Sequence, residues 1–174
     1  PAAIAAIFAA YWQRAEDITD DAVLRAALAG IAGLDEAFAG VDSVVHLAAR
    51  PSVPRSIDDP GPSHEINVTG TFNVLEAVRR AGGAQVIAAS SSSVYGANPT
   101  LPKSEDLATR PLSPYAATKL ATEVYTLAWG HSYGLPVLAF RFFNVFGPFQ
   151  PAGHAYAAVV PAFVDAALAG RPLP

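Results

Sequence analysis

From residue 20 onward the chain alternates two hydrophobic patterns. "DDAVLRAALAG" spaces its apolar positions as a helix does and ends on Gly30, a suitable C-terminal cap, and "LDEAFAG" at 34–40 is a partial echo of it. "SVVHLAA" at 43–49 and "QVIAAS" at 85–90 are short, nearly continuous apolar runs bounded by polar or turn residues, the pattern of strands buried on both faces. Between them "HEINVTGTFNVLEAVRRAGG" at 64–83 is amphipathic, carries two arginines near its end and stops at a glycine pair, which predicts one helix with its stop signal. "LPVLAFRF" at 135–142 predicts a third strand, and "YAAVVPAFVDAALAG" at 156–170 a further helix. Strand and helix in alternation predict an α/β fold, a parallel sheet with flanking helices. Ligands bind beyond the carboxyl ends of such strands, so the segments of interest are Ala48 to Arg50, Ser90 to Tyr95 and Phe143 to Phe149.

Composition narrows the partners. The 174 residues are 52% hydrophobic and 15% charged, enough for one domain with a core. A formal charge of -4 with scattered Lys and Arg gives no basic stripe, which argues against nucleic acid and acidic membrane surfaces. The most apolar run, "AAIAAIFAAYW" at 2–12, falls well short of the roughly 20 residues of a membrane helix. With no basic segment before it, it is also a poor signal peptide and fits a buried helix better. The absence of cysteine excludes disulfides and thiol catalysis and is compatible with a reducing cytoplasm, while the absence of methionine is expected of a fragment.

Chemistry enters at "SPYAATK", residues 113–119. On a helix, Tyr115 and Lys119 share a face. A phenol with a pKa of about 10 is a poor base unaided, but a neighbouring ammonium favours its ionised form, and Tyr115 could then take a proton from an alcohol. Taken alone, the spacing fits an ordinary helix-surface pair better. "ASSSSVYG" at 89–96 adds hydroxyls straight after a predicted strand.

From about Asp17 to the C-terminus the sequence resembles the extended short-chain dehydrogenase/reductase family, and within it the NAD-dependent nucleotide-sugar 4-epimerases; several motifs occur in the family's order. The resemblance implies a Rossmann-like NAD-binding domain over 17–174, preceded by an unassigned helical segment at 1–16. "EDITD" implies that Asp17 and Ile18 lie against the adenine, and "HLAA" that Leu47, Ala48 and Ala49 line the cofactor, with His46 supporting its strand. "NVTGT" implies that Asn67 helps hold the site together. In "SSSSVYG" the catalytic serine is Ser91, and Tyr115 and Lys119 are the general base and its partner, both also touching the cofactor. "RFFNVFGP" implies that Phe142 and Phe143 approach the nicotinamide and that Asn144, with Ser91, binds the UDP-sugar substrate; "AYAAVVP" resembles the region that contacts the nucleotide base. A homodimer is implied as well.

The serine run also discriminates among reactions. Dehydratase relatives place an Asp–Glu pair directly after the catalytic hydroxyl residue, because elimination of water needs a further acid and base. Ser92 and Ser93 stand there instead. The sugar decarboxylase relatives carry a Glu, and the fucose-type epimerase/reductases use a cysteine that this chain lacks. What remains is simple oxidation and re-reduction at one carbon, and the resemblance to the 4-epimerases implies that this carbon is C4 of a UDP-hexose.

The resemblance breaks at the N-terminus. The family's first strand and its G-x-x-G-x-x-G turn, which holds the cofactor pyrophosphate on backbone amides, are not recognisable; Gly30, Gly33 and Gly40 have the wrong spacing. Phe149 stands where a basic residue is common. The Rossmann fold is therefore expected to be incomplete in this chain. A second function class stays open, a catalytically inactive truncated relative serving as a nucleotide-binding or interaction module, and a nucleotide-sugar dehydratase is a third.

Overall fold

The computed structural model describes residues 37–147, 150 and 159–173. Their strands form one parallel sheet in the order β1 (Ser43–His46), β2 (Gln85–Ser91), β3 (Val137–Phe142). Ser43 lies opposite Gln85 and His46 opposite Ala88; Val86 lies opposite Val137 and Ser91 opposite Phe142. All three strands run the same way, so their carboxyl ends, and the segments that follow them, share one edge of the sheet.

Between β1 and β2 come α1 (Val53–Asp58), α2 (Pro60–His64), a π turn (Glu65–Thr69) and α3 (Gly70–Arg80). After β2 a 3₁₀ turn (Ser92–Tyr95) leads through a loop to α4 (Pro114–Tyr133), and α5 (Val159–Leu168) follows β3. The strands and α5 fall where the hydrophobic runs place them. The helix expected over 64–83 is instead interrupted: a widened turn at Glu65–Thr69 separates α2 from α3. That turn presents the Asn67 carbonyl to two threonine hydroxyls, from Thr71 at 2.5 Å and from Thr122 at 3.1 Å. The stop signal holds: Arg79 and Arg80 lie in the last turn, and Gly82 follows with a φ of 112 that side-chain-bearing residues avoid.

Helices α3 and α4 pack on one face of the sheet. Val44, Val86, Leu75 and Val78 form the core there, with Leu135 from the strand approach, and Trp129 and Val137 lean on it. Full burial of each such side chain contributes about 1.5–3 kcal/mol. Among the described residues the strands are covered on one face, not on both as the apolar runs predict. Burial alternates along β1, with Val44 and His46 buried but Val45 exposed; Leu138, Phe140 and Phe142 of β3 are also exposed on the face opposite α3 and α4. The reason is plain in the packing: among the described residues, both long helices cover the same side. The rings of Phe140 and Phe142 stack on each other there, 5.5 Å between centroids. Among the described residues, no helix is long and apolar enough to cross a membrane.

Candidate active site

The start of α4 is fixed by its sequence. Ser113 caps it, accepting from the Ala116 amide at 3.1 Å, and Pro114 occupies the first turn, where its missing N–H costs nothing. The Tyr115 amide donates to the buried Ser56 hydroxyl of α1 at 3.0 Å, so α1 holds that first turn in place.

Tyr115, Lys119 and Glu123 then follow at four-residue intervals and meet three consecutive residues of β2. Tyr115 faces Ser91, which favours the ionised phenol. The Lys119 ammonium donates to the Ala89 carbonyl at 2.9 Å. The Ser90 hydroxyl donates to Glu123 Oε2 at 2.9 Å. Ser91 itself accepts from the Ser93 hydroxyl at 2.9 Å and the Ser93 amide at 3.2 Å. Ser93 therefore braces Ser91, the residue that faces Tyr115.

Burial governs the electrostatics. It pushes the Lys119 ammonium down to about 8. It pushes the Tyr115 phenol up, Ser91 opposing it only in part. This reverses the lowering expected from Lys119. The ammonium points to the Ala89 carbonyl, and desolvation of the phenol outweighs what reaches it.

A buried polar seam supports the same helix from the other side. Asn67 accepts from the Arg50 amide at 2.7 Å and donates to Thr118 Oγ1 at 2.9 Å; the Thr118 hydroxyl donates to the Tyr115 carbonyl at 2.8 Å. The single proton of the Thr71 hydroxyl goes to Asn67, so His46 Nε2, 3.0 Å away, is the donor in their contact. Burial, with the Lys119 charge adding to it, holds His46 neutral with a pKa of about 4. Asn67 thus ties the segment after β1 to the Tyr115 turn.

The model of the NAD dependent epimerase/dehydratase family matches residues 7–174. The chain belongs to this family. A UDP-glucose 4-epimerase from Mycolicibacterium smegmatis is 46% identical over 129 residues, covering 74% of this chain and 41% of that protein. The structure of a UDP-N-acetylglucosamine 4-epimerase from Methanobrevibacter ruminantium M1, in complex with UDP-N-acetylmuramic acid, superposes with a TM-score of 0.76 at 41% identity, over 81% of this chain and 46% of that one. A UDP-glucuronic acid 4-epimerase from Bacillus cereus, in complex with UDP-glucuronic acid and NAD, gives 0.69 at 33% identity, over 82% and 44%. The chain thus spans under half the length of each. NAD is the cofactor of this family.

Within this family member, Ser91, Tyr115 and Lys119 gather where the end of β2 meets the first turns of α4. Phe142 lies opposite Ser91 at the end of β3, with Phe143 and Asn144 following it, all exposed. Leu47 and Ala48 are exposed and Ala49 half-buried in the segment after β1. Asp17 and Ile18 lie outside the described residues, as do the helix expected over 20–30, the segment 1–16 and Phe149. A cleft of about 710 Å³ opens beside the trio and is lined from Tyr95, Lys103 to Glu105, Glu123 and Leu138 to Phe143; Ser91, Tyr115 and Lys119 do not line it.

Two site residues escaped the sequence reading, Glu123 and Arg141. Arg141 Nε and Nη2 donate to the Glu123 carboxylate at 2.6–3.1 Å, its Nη1 donates to the Glu105 carbonyl at 3.0 Å, and its guanidinium lies 4.9 Å over the Tyr95 ring. Burial raises the Glu123 carboxyl, but Arg141 and Ser90 together more than offset this and hold it below the usual range. The signal for Glu123 was its spacing, one further turn along the Tyr115–Lys119 face. Arg141 carried none, being a single charge inside an apolar strand.

Proposed function

We propose that the whole protein is an NAD-dependent 4-epimerase of a UDP-hexose. The observation that carries this reading is the placement of Ser91 beside Tyr115, with Lys119 one turn away, at the carboxyl edge of a parallel sheet and with Ser92 and Ser93 where a dehydratase would need carboxylates. The donor set suits the cofactor. Lys119 spends one of three N–H donors on Ala89, leaving others suited to ribose hydroxyls, and the small side chains of Ala48 and Ala49 allow close approach of a flat group. NAD, when bound, accepts the hydride from the sugar C4 and returns it.

The chain's own groups handle the proton and the oxygen. Ser91 holds the sugar 4-hydroxyl, and Tyr115 takes its proton as the C4–H bond breaks, giving a 4-keto sugar. Lys119 supplies positive charge against the high intrinsic pKa of the buried phenol. The ketone turns over, and Tyr115 returns the proton as the opposite face of C4 is reduced. Ser93 orients Ser91 through its own donated hydrogen bond.

In the whole protein, Tyr115→Phe should lower turnover by about 100- to 10,000-fold with melting unchanged. Ser91→Ala should impair strongly and Ser93→Ala mildly; equal losses would mean that the serine run is misassigned. Supplied with UDP-glucose, UDP-glucuronate or UDP-N-acetylglucosamine, the protein should return a product of unchanged mass, whereas loss of water would favour a dehydratase. A non-catalytic nucleotide-binding module is the second reading, favoured by the unrecognisable glycine-rich turn. Micromolar NAD binding with no turnover of any UDP-sugar would select it. The same proposal includes a cytoplasmic homodimer, supported by the exposed Ile66, Phe72, Val124 and Tyr125 of the π turn, α3 and α4; sedimentation of a monomer would remove it.

A further inference from the structure

Lys119 and Glu123 lie four apart on the same face of α4, both buried, and bond to adjacent residues of β2. A lysine and a glutamate so placed ordinarily join, and burial strengthens their attraction. They do not join here. Lys119 turns to the Ala89 carbonyl, and among the described residues no carboxylate is paired with it. The Glu123 carboxylate is already filled. Oε1 accepts from Arg141 Nη2 at 2.6 Å and Nε at 3.1 Å, and Oε2 from Arg141 Nε at 3.0 Å and Ser90 Oγ at 2.9 Å. Arg141 is braced in turn by the Glu105 carbonyl and the Tyr95 ring.

We propose that Arg141 is a positioning residue whose task is to occupy Glu123, so that the carboxylate cannot capture the Lys119 ammonium and draw it from Tyr115 and the cofactor. This rests on the reading of Tyr115 and Lys119 given above. Other charged or titratable groups near this stretch are His46 from β1, Tyr115 on α4 itself, Tyr95 from the 3₁₀ turn, and Lys103 and Glu105 from the loop that lines the cleft with Glu123; β2 contributes none. Of the two carboxylates, Glu123 is the one that lies a single turn from Lys119 on the same helix, so it is the competitor for Lys119 and Arg141 is what removes it from competition.

A purely structural brace and this electrostatic role predict opposite outcomes when both charges are removed together. In the whole protein, Arg141→Met should weaken NAD binding by about tenfold or more and lower kcat, because Glu123 is released onto Lys119. Arg141→Met with Glu123→Gln should return NAD affinity and kcat to within about threefold of the wild type, although the ion pair is gone. Glu123→Gln alone should keep NAD affinity, which preserves the test should Arg141→Met fail to fold. A double variant as defective as Arg141→Met, or a Glu123→Gln protein that folds but loses NAD, overturns the proposal. Tyr115→Phe separates the two levels. Full turnover in Tyr115→Phe overturns the reading of the site and this inference with it, whereas an inactive Tyr115→Phe beside an unrescued double variant overturns this inference alone.

Discussion

Between Pro114 and Glu123, helix α4 turns Thr118, Lys119, Thr122 and Glu123 inward; between Val124 and Tyr133 it meets its neighbours largely through rings. The first half is tied to β2, β3 and the π turn by directional hydrogen bonds, each with a named partner. The second half packs Tyr125, Trp129 and Tyr133 with Phe72 of α3 at centroid distances of 5.5–6.5 Å, and Trp129 adds one hydrogen bond to Glu76. Aromatic pairs contribute about 0.5–1.5 kcal/mol each beyond area and tolerate small shifts. A buried polar group that loses its partner costs about 1–3 kcal/mol and tolerates none. One helix thus uses area to stay attached at one end and hydrogen bonds to stay in register at the other, where Tyr115 and Lys119 must meet β2.

The distinction breaks first, and most visibly, at Trp129. Trp129→Ala should cost about 3 kcal/mol by chemical denaturation while leaving NAD affinity of the folded protein unchanged. A large loss of affinity would show that the aromatic half also sets register. Next comes pH. Lys119 has a folded pKa of about 8 against 10.5 unfolded, so between these values the unfolded state holds more protons and stability rises with pH. The gain from about pH 7 to about pH 9.5 should be about 2 kcal/mol and should vanish in Lys119→Met. Tyr115, raised in the folded state, erodes stability only above pH 10. A similar gain in the Lys119→Met protein would place the titration elsewhere. The smallest effect on stability is expected of Thr122→Val, about 1 kcal/mol, since shape is kept and one hydroxyl shared among Asn67, Thr118 and Thr71 is lost. Its effect on turnover should exceed that of Trp129→Ala; the reverse order would erase the contrast between the halves.

The polar half is also where sequence patterning carries least information. The three strands were legible because continuous apolar runs bounded by turn residues have few alternatives. Which face of β1 stays open was not, since Val44 and Val45 are equally apolar and only the placement of α3 and α4 tells them apart. The interruption at Glu65–Thr69 left no mark such as proline, because it is stabilised by threonine hydroxyls from 4 and 55 positions away. Ser91, Tyr115 and Lys119 were found through motif order. The Glu123–Arg141 pair was not, because an ion pair spanning 18 residues between a helix and a strand has no local signature. The direction of the Tyr115 shift was misjudged for a related reason: proximity in sequence reveals the neighbouring charge, whereas desolvation depends on packing.

The loop that follows the serine run closes on itself. The Ala97 amide donates to the Arg110 carbonyl at 3.0 Å and the Arg110 amide to the Val94 carbonyl at 2.9 Å. Gly96, with a φ of 44, sits at this neck, where any side chain would strike the Arg110 backbone. The chain therefore leaves the scaffold and rejoins it at one neck, and between the two the loop of residues 98–109 touches it again where the Glu105 carbonyl accepts from Arg141. Lengthening such an excursion costs little closure entropy, about 0.6 kcal/mol per doubling, and need not displace Ser91 on one side or Tyr115 on the other. Lys103, Ser104 and Glu105 of that loop line the cleft beside Ser91, Tyr115 and Lys119. A loop swap that keeps the neck glycine and a carbonyl under Arg141 would therefore change the lining of the cleft while leaving the strand and helix on either side in place.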